Sequence, residues 1–246
     1  MKTAIKLALV TLVLSACSSQ DKKVSDTDEA TIMSQQPLVE EVLTAEEQSK
    51  LTPEEVIALF KAGNDRFINN DLTARNHSMQ VRKSAKAQFP KAIVLSCVDS
   101  RVPVEDVFDR GIGDIFVARV AGNFVNEDIL GSMEFACKVS GSKLILVMGH
   151  EHCGAVKAAI DNVKLGNITP MISKIRPAVE LVEYEGERTS DNQEFVQKVA
   201  ESNVMYTINQ IRTKSPILKE MEDANEIRIV GATYDMDSGK VTFLDN

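Results

Sequence analysis

Three short apolar segments in the middle of the chain place the strongest constraint on its fold. Their sequences are KAIVLSC (91–97), DIFVARV (114–120) and KLILVMG (143–149). A continuous apolar run of this length is typical of a strand buried on both faces, as in a parallel sheet covered by helices. The segment 127–140, between the second and third runs, has its apolar residues at helical spacing. This order of strand, helix and strand predicts a parallel α/β sheet.

Helices are predicted on both sides of these segments. Pro53 follows Thr52, which is a suitable N-cap, and apolar residues then recur at helical spacing. Residues 153–223 indicate successive helices, with a break near Gly166 and Pro170. The helices are therefore expected to flank the sheet.

The end of the chain returns to strand patterns. The segments 226–235 and 240–245 are separated by a turn sequence at 237–239, which predicts a hairpin at one edge of the sheet. The expected fold is α/β, with a central, mostly parallel sheet of about four parallel strands plus an antiparallel edge strand, flanked by helices. We expect one domain of this kind over residues 51–246.

The first residues have the pattern of a targeting segment. Residues 1–16 contain two Lys followed by a short apolar stretch, as in a secretory signal peptide. The sequence LSAC that ends at Cys17 resembles the lipobox of bacterial lipoproteins. By the same resemblance, Ser18 after the Cys favours sorting to the outer membrane. The alternative to a lipobox is an ordinary signal peptide in which Cys17 occurs by chance. We therefore expect lipidation at Cys17, a polar tether over 17–50, and a location on the periplasmic face of a bacterial membrane, attached only by lipid.

Charge and cysteine content argue against nucleic-acid binding and against a pure disulfide framework. The net charge is −8, and without residues 1–16, which carry two Lys and no acidic residue, it is −10. So acidic a chain has no electrostatic basis for binding nucleic acid. Apart from Cys17 there are three cysteines, an odd number that a pure disulfide framework accounts for poorly.

Chemistry-bearing residues follow two of the predicted strands. Cys97 ends the first, and His150 and Cys153 follow the third. Active sites of open α/β sheets lie at the carboxyl ends of the strands. Two thiolates and one imidazole are suitable ligands for zinc, and they leave one tetrahedral position for water or substrate. Asp99 and Arg101 alternate to one side if the chain stays extended, so the Arg can hold the carboxylate ionised.

These residues together resemble a known family. The patterns C-x-D-x-R and, about fifty residues later, H-x-x-C are similar to those of the β-carbonic anhydrases. Further segments resemble the family in the family's order: GNDRF, SCVDSRVP, ARVAGN, LGSMEFA and CGAV. The resemblance covers roughly residues 51–246.

The resemblance implies roles for individual residues. The implied ligands of one Zn²⁺ per chain are Cys97, His150 and Cys153, and the implied catalytic pair is Asp99 and Arg101. The implied substrate-binding residues are Gln88, contributed from a partner subunit, Gly154 through its backbone N–H, and Phe116 and Phe135 in an apolar CO2 pocket. For both Phe residues, ordinary core packing is the alternative.

The implied activity is the reversible hydration of CO2 to bicarbonate and a proton, through attack of a zinc-bound hydroxide. The resemblance also implies a homodimer or a higher homo-oligomer. Some relatives rest with the Asp on zinc and carry a Trp three residues before the first Cys; here that residue is Val94. We therefore predict a water-bound zinc, with Asp99 paired to Arg101. His152 is either a neighbour of the site or a proton relay, and Glu151 receives no role.

Alternative functions remain open at this point. Hydrolysis of carbonyl sulfide or carbon disulfide needs the same ligands, and these substrates are near-isosteres of CO2. A non-catalytic zinc-binding lipoprotein would not require Asp99 and Arg101. A thiol redox protein is disfavoured because the chain has no C-x-x-C motif, and a cysteine phosphatase because Pro103 stands where its Arg is needed.

Overall fold

A five-stranded sheet forms the centre of the molecule. The computed structural model describes residues 37–244, and its strands are Ala92–Ser96 (β1), Ile115–Arg119 (β2), Leu144–His150 (β3), Arg228–Tyr234 (β4) and Val241–Phe243 (β5). The strand order is β2-β1-β3-β4-β5. The first four strands are parallel and β5 is antiparallel to β4, so the predicted architecture is confirmed.

Helices cover both faces of the sheet. The α-helices are Ala45–Lys50 (α1), Pro53–Ile68 (α2), His77–Ser84 (α3), Val104–Val107 (α4), Glu127–Glu134 (α5), Gly154–Ile160 (α6), Ile168–Ile172 (α7), Arg176–Leu181 (α8), Gln193–Lys214 (α9) and Pro216–Asp223 (α10). The N-terminus of α2 has the predicted form, because the Thr52 side chain accepts from the backbone N–H of Glu55 in a capping box. Within residues 37–244, no helix is long and apolar enough to cross a membrane.

The central strands are apolar throughout because each face packs against a different set of helices. Ile93 and Leu95 of β1 belong to a buried cluster with residues of α5, α9 and α10. Val94 points the other way and packs with residues of α2 and α4. All five residues of β1 and all seven of β3 are buried. The continuous apolar runs thus follow from two-sided burial.

The register brings the functional segments to one edge of the sheet. Leu95 of β1 lies opposite Ala118 of β2 on one side and Val147 of β3 on the other. The parallel strands therefore end together, and the residues after β1 and β2 lie beside the last residue of β3, His150. This edge holds the candidate site, as expected for an open α/β sheet.

Two of the predicted helical segments differ in detail from the structure. The segment 127–140 forms α5 and then a five-residue π-helix, Phe135–Val139, instead of one regular helix. The predicted break near Gly166 and Pro170 corresponds to the interval between α6 and α7, which contains Gly166, whereas Pro170 lies in the first turn of α7. A Pro is tolerated there because the first N–H groups of a helix have no intrahelical partner.

The domain begins earlier than residue 51. The compact unit that contains the sheet starts at Pro37. Within it, Val39 forms a β-bridge with Arg75, and the buried Gln48 of α1 donates to the backbone carbonyls of Pro90 and Ser140, both at 2.8 Å. The prediction of a tether is therefore wrong for residues 37–50. The predicted signal peptide, the lipidation at Cys17 and the rest of the tether lie outside the described residues.

Candidate metal centre

Three side chains form a buried cluster at the carboxyl edge of the sheet. Cys97 follows β1, His150 ends β3, and Cys153 is the N-cap residue of α6. Their ligand atoms all lie within 4.8 Å of one another, and the two Sγ atoms are 4.0 Å apart. The structure therefore brings together the three residues predicted to bind a metal.

His150 is oriented for metal binding. Its Nδ1 lies 2.8 Å from the carbonyl oxygen of Glu151, and because a carbonyl can only accept, Nδ1 carries the proton. The opposite nitrogen, Nε2, is buried and has no hydrogen-bond partner within residues 37–244. An imidazole whose second nitrogen is fixed in this way is typical of zinc ligands. With two thiolates beside it, the donor set fits Zn²⁺.

A backbone amide supports the sulfur atom of Cys97. The N–H of Gly122, in the turn after β2, donates to Cys97 Sγ over 3.4 Å. Cys153, at the N-cap of α6, makes no side-chain hydrogen bond to the first turn of that helix. Sharing a proton with Cys153 lowers the pKa of Cys97 to about 4 and raises the pKa of Cys153. The pair therefore favours ionisation of Cys97 over ionisation of Cys153, and metal binding to both sulfur atoms releases their protons.

Asp99 and Arg101 form a two-point ion pair beside this cluster. Arg101 Nε donates to Asp99 Oδ1 over 2.9 Å, and Nη2 donates to Oδ2 over 2.8 Å. The guanidinium holds the pKa of Asp99 well below its usual range, so the carboxylate is ionised. Asp99 Oδ2 lies 3.9 Å from His150 Nε2, which places the carboxylate next to the ligand atoms.

Arg119 holds the loop that carries these residues, a role that the sequence analysis missed. From the end of β2, its Nη1 donates to the carbonyl of Cys97 over 3.0 Å, and its Nη2 donates to that of Val102 over 2.6 Å. Its position in the segment ARVAGN, directly before the turn, was the only signal in the sequence. The side chain joins the ends of β1 and β2 and so fixes the direction of the Cys97–Arg101 segment.

The predicted substrate-binding residues lie in different places. Gly154 begins α6, next to Cys153, and a Cβ added there would have no atom within 4 Å. Gln88 is exposed and lines a separate cleft together with Gly113. Phe116 and Phe135 pack edge to face, with ring centroids 6.3 Å apart, in a groove of about 760 Å³ along β2 and α5. The ring of Phe135 is half exposed. Their roles stay predictions.

The two residues between the ligands His150 and Cys153 have separate contacts. The carboxylate of Glu151 accepts the backbone N–H of Met236 over 3.1 Å, which ties the site to the turn between β4 and β5. His152 is exposed, has a positive φ of 54°, and its Nδ1 lies 2.9 Å from Gln193 Oε1. Glu151 therefore supports the sheet edge, and His152 contacts the first residue of α9; its role as a proton relay stays a prediction.

Comparisons with known proteins identify the family. The family profile for Carbonic anhydrase matches residues 92–241. Carbonic anhydrase 2 of Mycobacterium tuberculosis is 34% identical over 193 residues, which are 76% of this chain and 90% of that protein. The β-carbonic anhydrase of Coccomyxa, solved in complex with acetazolamide, is 25% identical with a TM-score of 0.61, covering 77% of this chain and 85% of the other.

The chain belongs to the β-carbonic anhydrase family. A solved structure of the tetrameric β-carbonic anhydrases of Sordaria macrospora shares the fold, with a TM-score of 0.60 at 20% identity over 78% of this chain and 96% of the other. The matched residues 92–241 include the three members of the Cys–His–Cys cluster, as well as Asp99 and Arg101. The part of this β-carbonic anhydrase that matches the family profile therefore contains the whole candidate metal centre.

Proposed function

We propose that this β-carbonic anhydrase catalyses the zinc-dependent, reversible hydration of CO2 to bicarbonate and a proton. One observation carries the proposal: a buried Cys–His–Cys cluster, in which His150 Nε2 has no hydrogen-bond partner in the described chain, lies beside the Asp99–Arg101 ion pair. Three protein ligands are typical of catalytic zinc sites, whereas structural sites use four. Bound zinc supplies Lewis-acid activation of water near neutral pH.

The residues of the site would have two roles, metal binding and orientation of the reacting groups. Cys97, His150 and Cys153, which are all buried, would hold the metal. Asp99 stays deprotonated because Arg101 binds its carboxylate. The carboxylate, which lies next to the ligand atoms, can then accept a hydrogen bond from a proton-bearing group there. A fixed acceptor orients a nucleophile toward its electrophile. We propose that, in the resting state, Asp99 is paired with Arg101 and is not a ligand of the metal.

The substrate preference is tested by comparing three small linear molecules. We expect purified protein with one zinc per chain to hydrate CO2 rapidly in a stopped-flow pH-indicator assay, and to release little sulfide from carbonyl sulfide or carbon disulfide. Faster hydrolysis of either sulfur compound would favour the alternative assignment on the same fold. Zinc binding without turnover of any of the three would favour a non-catalytic zinc protein.

We also propose that the protein acts as a homodimer or a higher homo-oligomer. Gln88 and the Phe116–Phe135 groove lie apart from the metal cluster of their own chain, and β2 is an edge strand of the sheet in the described part of the chain. A second copy against this edge would cover Phe135 and bring its own residues to the site.

The oligomer is tested at Phe135. The substitution Phe135→Asp is expected to shift the mass measured by light scattering from the oligomer to the monomer, because a buried charge at an interface is costly. The control is Leu181→Asp, on α8, where the side chain is also exposed. A wild-type monomer, or an unchanged mass in Phe135→Asp, would contradict the proposal.

We propose that a lipid on Cys17 anchors the protein to the periplasmic face of the outer membrane. Its support is the signal-like sequence of residues 1–16 and the lipobox pattern that ends at Cys17. We expect Cys17→Ser to move the protein from the membrane fraction to the soluble fraction of cells. An unchanged distribution between the two fractions would contradict the anchor.

A further inference from the structure

The side chain of Asn203 lies directly behind the metal cluster, in the middle of α9. It is fully buried, and its Nδ2 donates to the carbonyl oxygen of Gly122 over 2.8 Å. The N–H of the same Gly122 donates to Cys97 Sγ. A chain of two hydrogen bonds thus connects a helix that is distant in sequence to one of the predicted zinc ligands.

Gly122 has a backbone conformation that favours glycine, and both of its polar groups take part in this chain of bonds. Its φ of +81° is in the left-handed region, and a Cβ on it would lie 2.3 Å from Ile175 Cδ1, so another residue would be strained and would have to displace Ile175. The N–H of Asn123 donates to the carbonyl of Val120 over 2.9 Å and closes this turn, but neither polar group of Gly122 takes part in that bond. The bond from Asn203 fixes the carbonyl on the other side of the same residue.

The helix α9 is a rigid base for this bond. It packs directly on β3 at Gly149, where an added Cβ would lie only 2.8 Å from Val204 Cγ2. Asn203 precedes Val204, and Gly149 precedes the ligand His150. The close packing of Val204 on Gly149 therefore sets the distance between α9 and the metal cluster. A functional site needs such rigid support to keep its geometry.

The cost of burying Asn203 indicates a role beyond packing. Its Oδ1 has no hydrogen-bond partner in the described part of the chain, and an unsatisfied buried polar atom is unfavourable. Ala200 and Val204, on the same helix, are also buried. An apolar side chain would pack there without that cost, so the donor to Gly122 is the feature that distinguishes asparagine.

We propose that Asn203 is a positioning residue for the metal centre, acting through Gly122 to aim a backbone N–H at Cys97. This inference rests on the proposed zinc enzyme. Residues that orient metal ligands from outside typically change metal affinity about 10- to 100-fold when replaced. We expect a loss in that range for variants that remove the donor.

The test measures zinc affinity by competition with a chromophoric chelator, using the folded, metal-free full chain. Asn203→Leu and Asn203→Ala are expected to bind zinc about 10- to 100-fold more weakly than wild type. In the cobalt-substituted protein, the thiolate-to-metal charge-transfer band is expected to move, because it reports electron donation from sulfur. Thr207→Val is the matched control: Thr207 is one turn along α9, equally buried, and its Oγ1 has no partner in the described chain.

The outcomes separate this inference from the proposed function. If wild type binds no zinc, the proposed function fails. If wild type binds zinc and both Asn203 variants bind it within about twofold of wild type with an unmoved cobalt band, only the positioning role fails. Failure of both variants to fold, while Thr207→Val folds, would also overturn the inference, because Asn203 would then serve overall stability.

Discussion

Replacing Cys97 by alanine is expected to abolish stoichiometric zinc binding and to reduce CO2 hydration to the uncatalysed rate. Cys97 supplies one of three ligand atoms in a cluster that spans 4.8 Å, and no other thiol or imidazole lies in that group in the described chain. Changes outside the ligand set already cost about 10- to 100-fold in metal affinity, so the loss of a ligand costs more. Zinc per chain, measured by mass spectrometry after dialysis, checks the result.

Cys137→Ala is the matched control for this substitution. Cys137 is also buried, and burial raises the pKa of its thiol to about 12, so it is protonated at neutral pH. It lies in the π-helix that follows α5, away from the metal cluster. We expect this variant to keep one zinc per chain and its activity. Full zinc binding by Cys97→Ala would contradict the assigned ligand set.

Asp99→Asn is expected to separate metal binding from catalysis. The amide is isosteric with the carboxylate, but it carries no charge and cannot form the two-point ion pair with Arg101. Zinc should remain at one per chain, while kcat/KM for CO2 falls by about 100-fold or more through misplacement of the reacting groups. Stopped-flow hydration and metal analysis on the same sample measure both quantities.

Asp106→Asn controls for a general effect of removing an acidic group near the site. Asp106 is exposed on α4, a few residues after Arg101, and forms no ion pair in the described structure. This variant should have the zinc content and the rate of the wild type. A rate for Asp99→Asn close to that of Asp106→Asn would refute the catalytic role, and loss of zinc from Asp99→Asn would make Asp99 a ligand.

The sheet and the metal cluster were predictable from sequence because both depend on local patterns. Continuous apolar runs such as 144–148 identify strands buried on both faces, and their parallel order brings the following residues to one edge. Cys97 and His150 are therefore neighbours in the fold for the same reason that β1 and β3 are neighbours in the sheet.

The parts that were not predictable depend on long-range contacts. The segment 37–50 is polar and resembles a tether, yet Gln48 is buried because carbonyls of Pro90 and Ser140 accept its amide. Asn203 lies in an ordinary helical pattern, and only the packing of α9 on the sheet shows that it reaches Gly122. Such roles depend on tertiary geometry and leave no local pattern.

The central claim is that this chain is a zinc-dependent carbonic anhydrase with one metal site per chain. Its most direct test is a titration of zinc into chelator-treated protein, with CO2 hydration followed by stopped flow at each addition. We predict that the rate rises linearly with zinc and stops rising at one zinc per chain. No hydration above the uncatalysed rate at one zinc per chain, or full activity of the metal-free protein, would contradict the account.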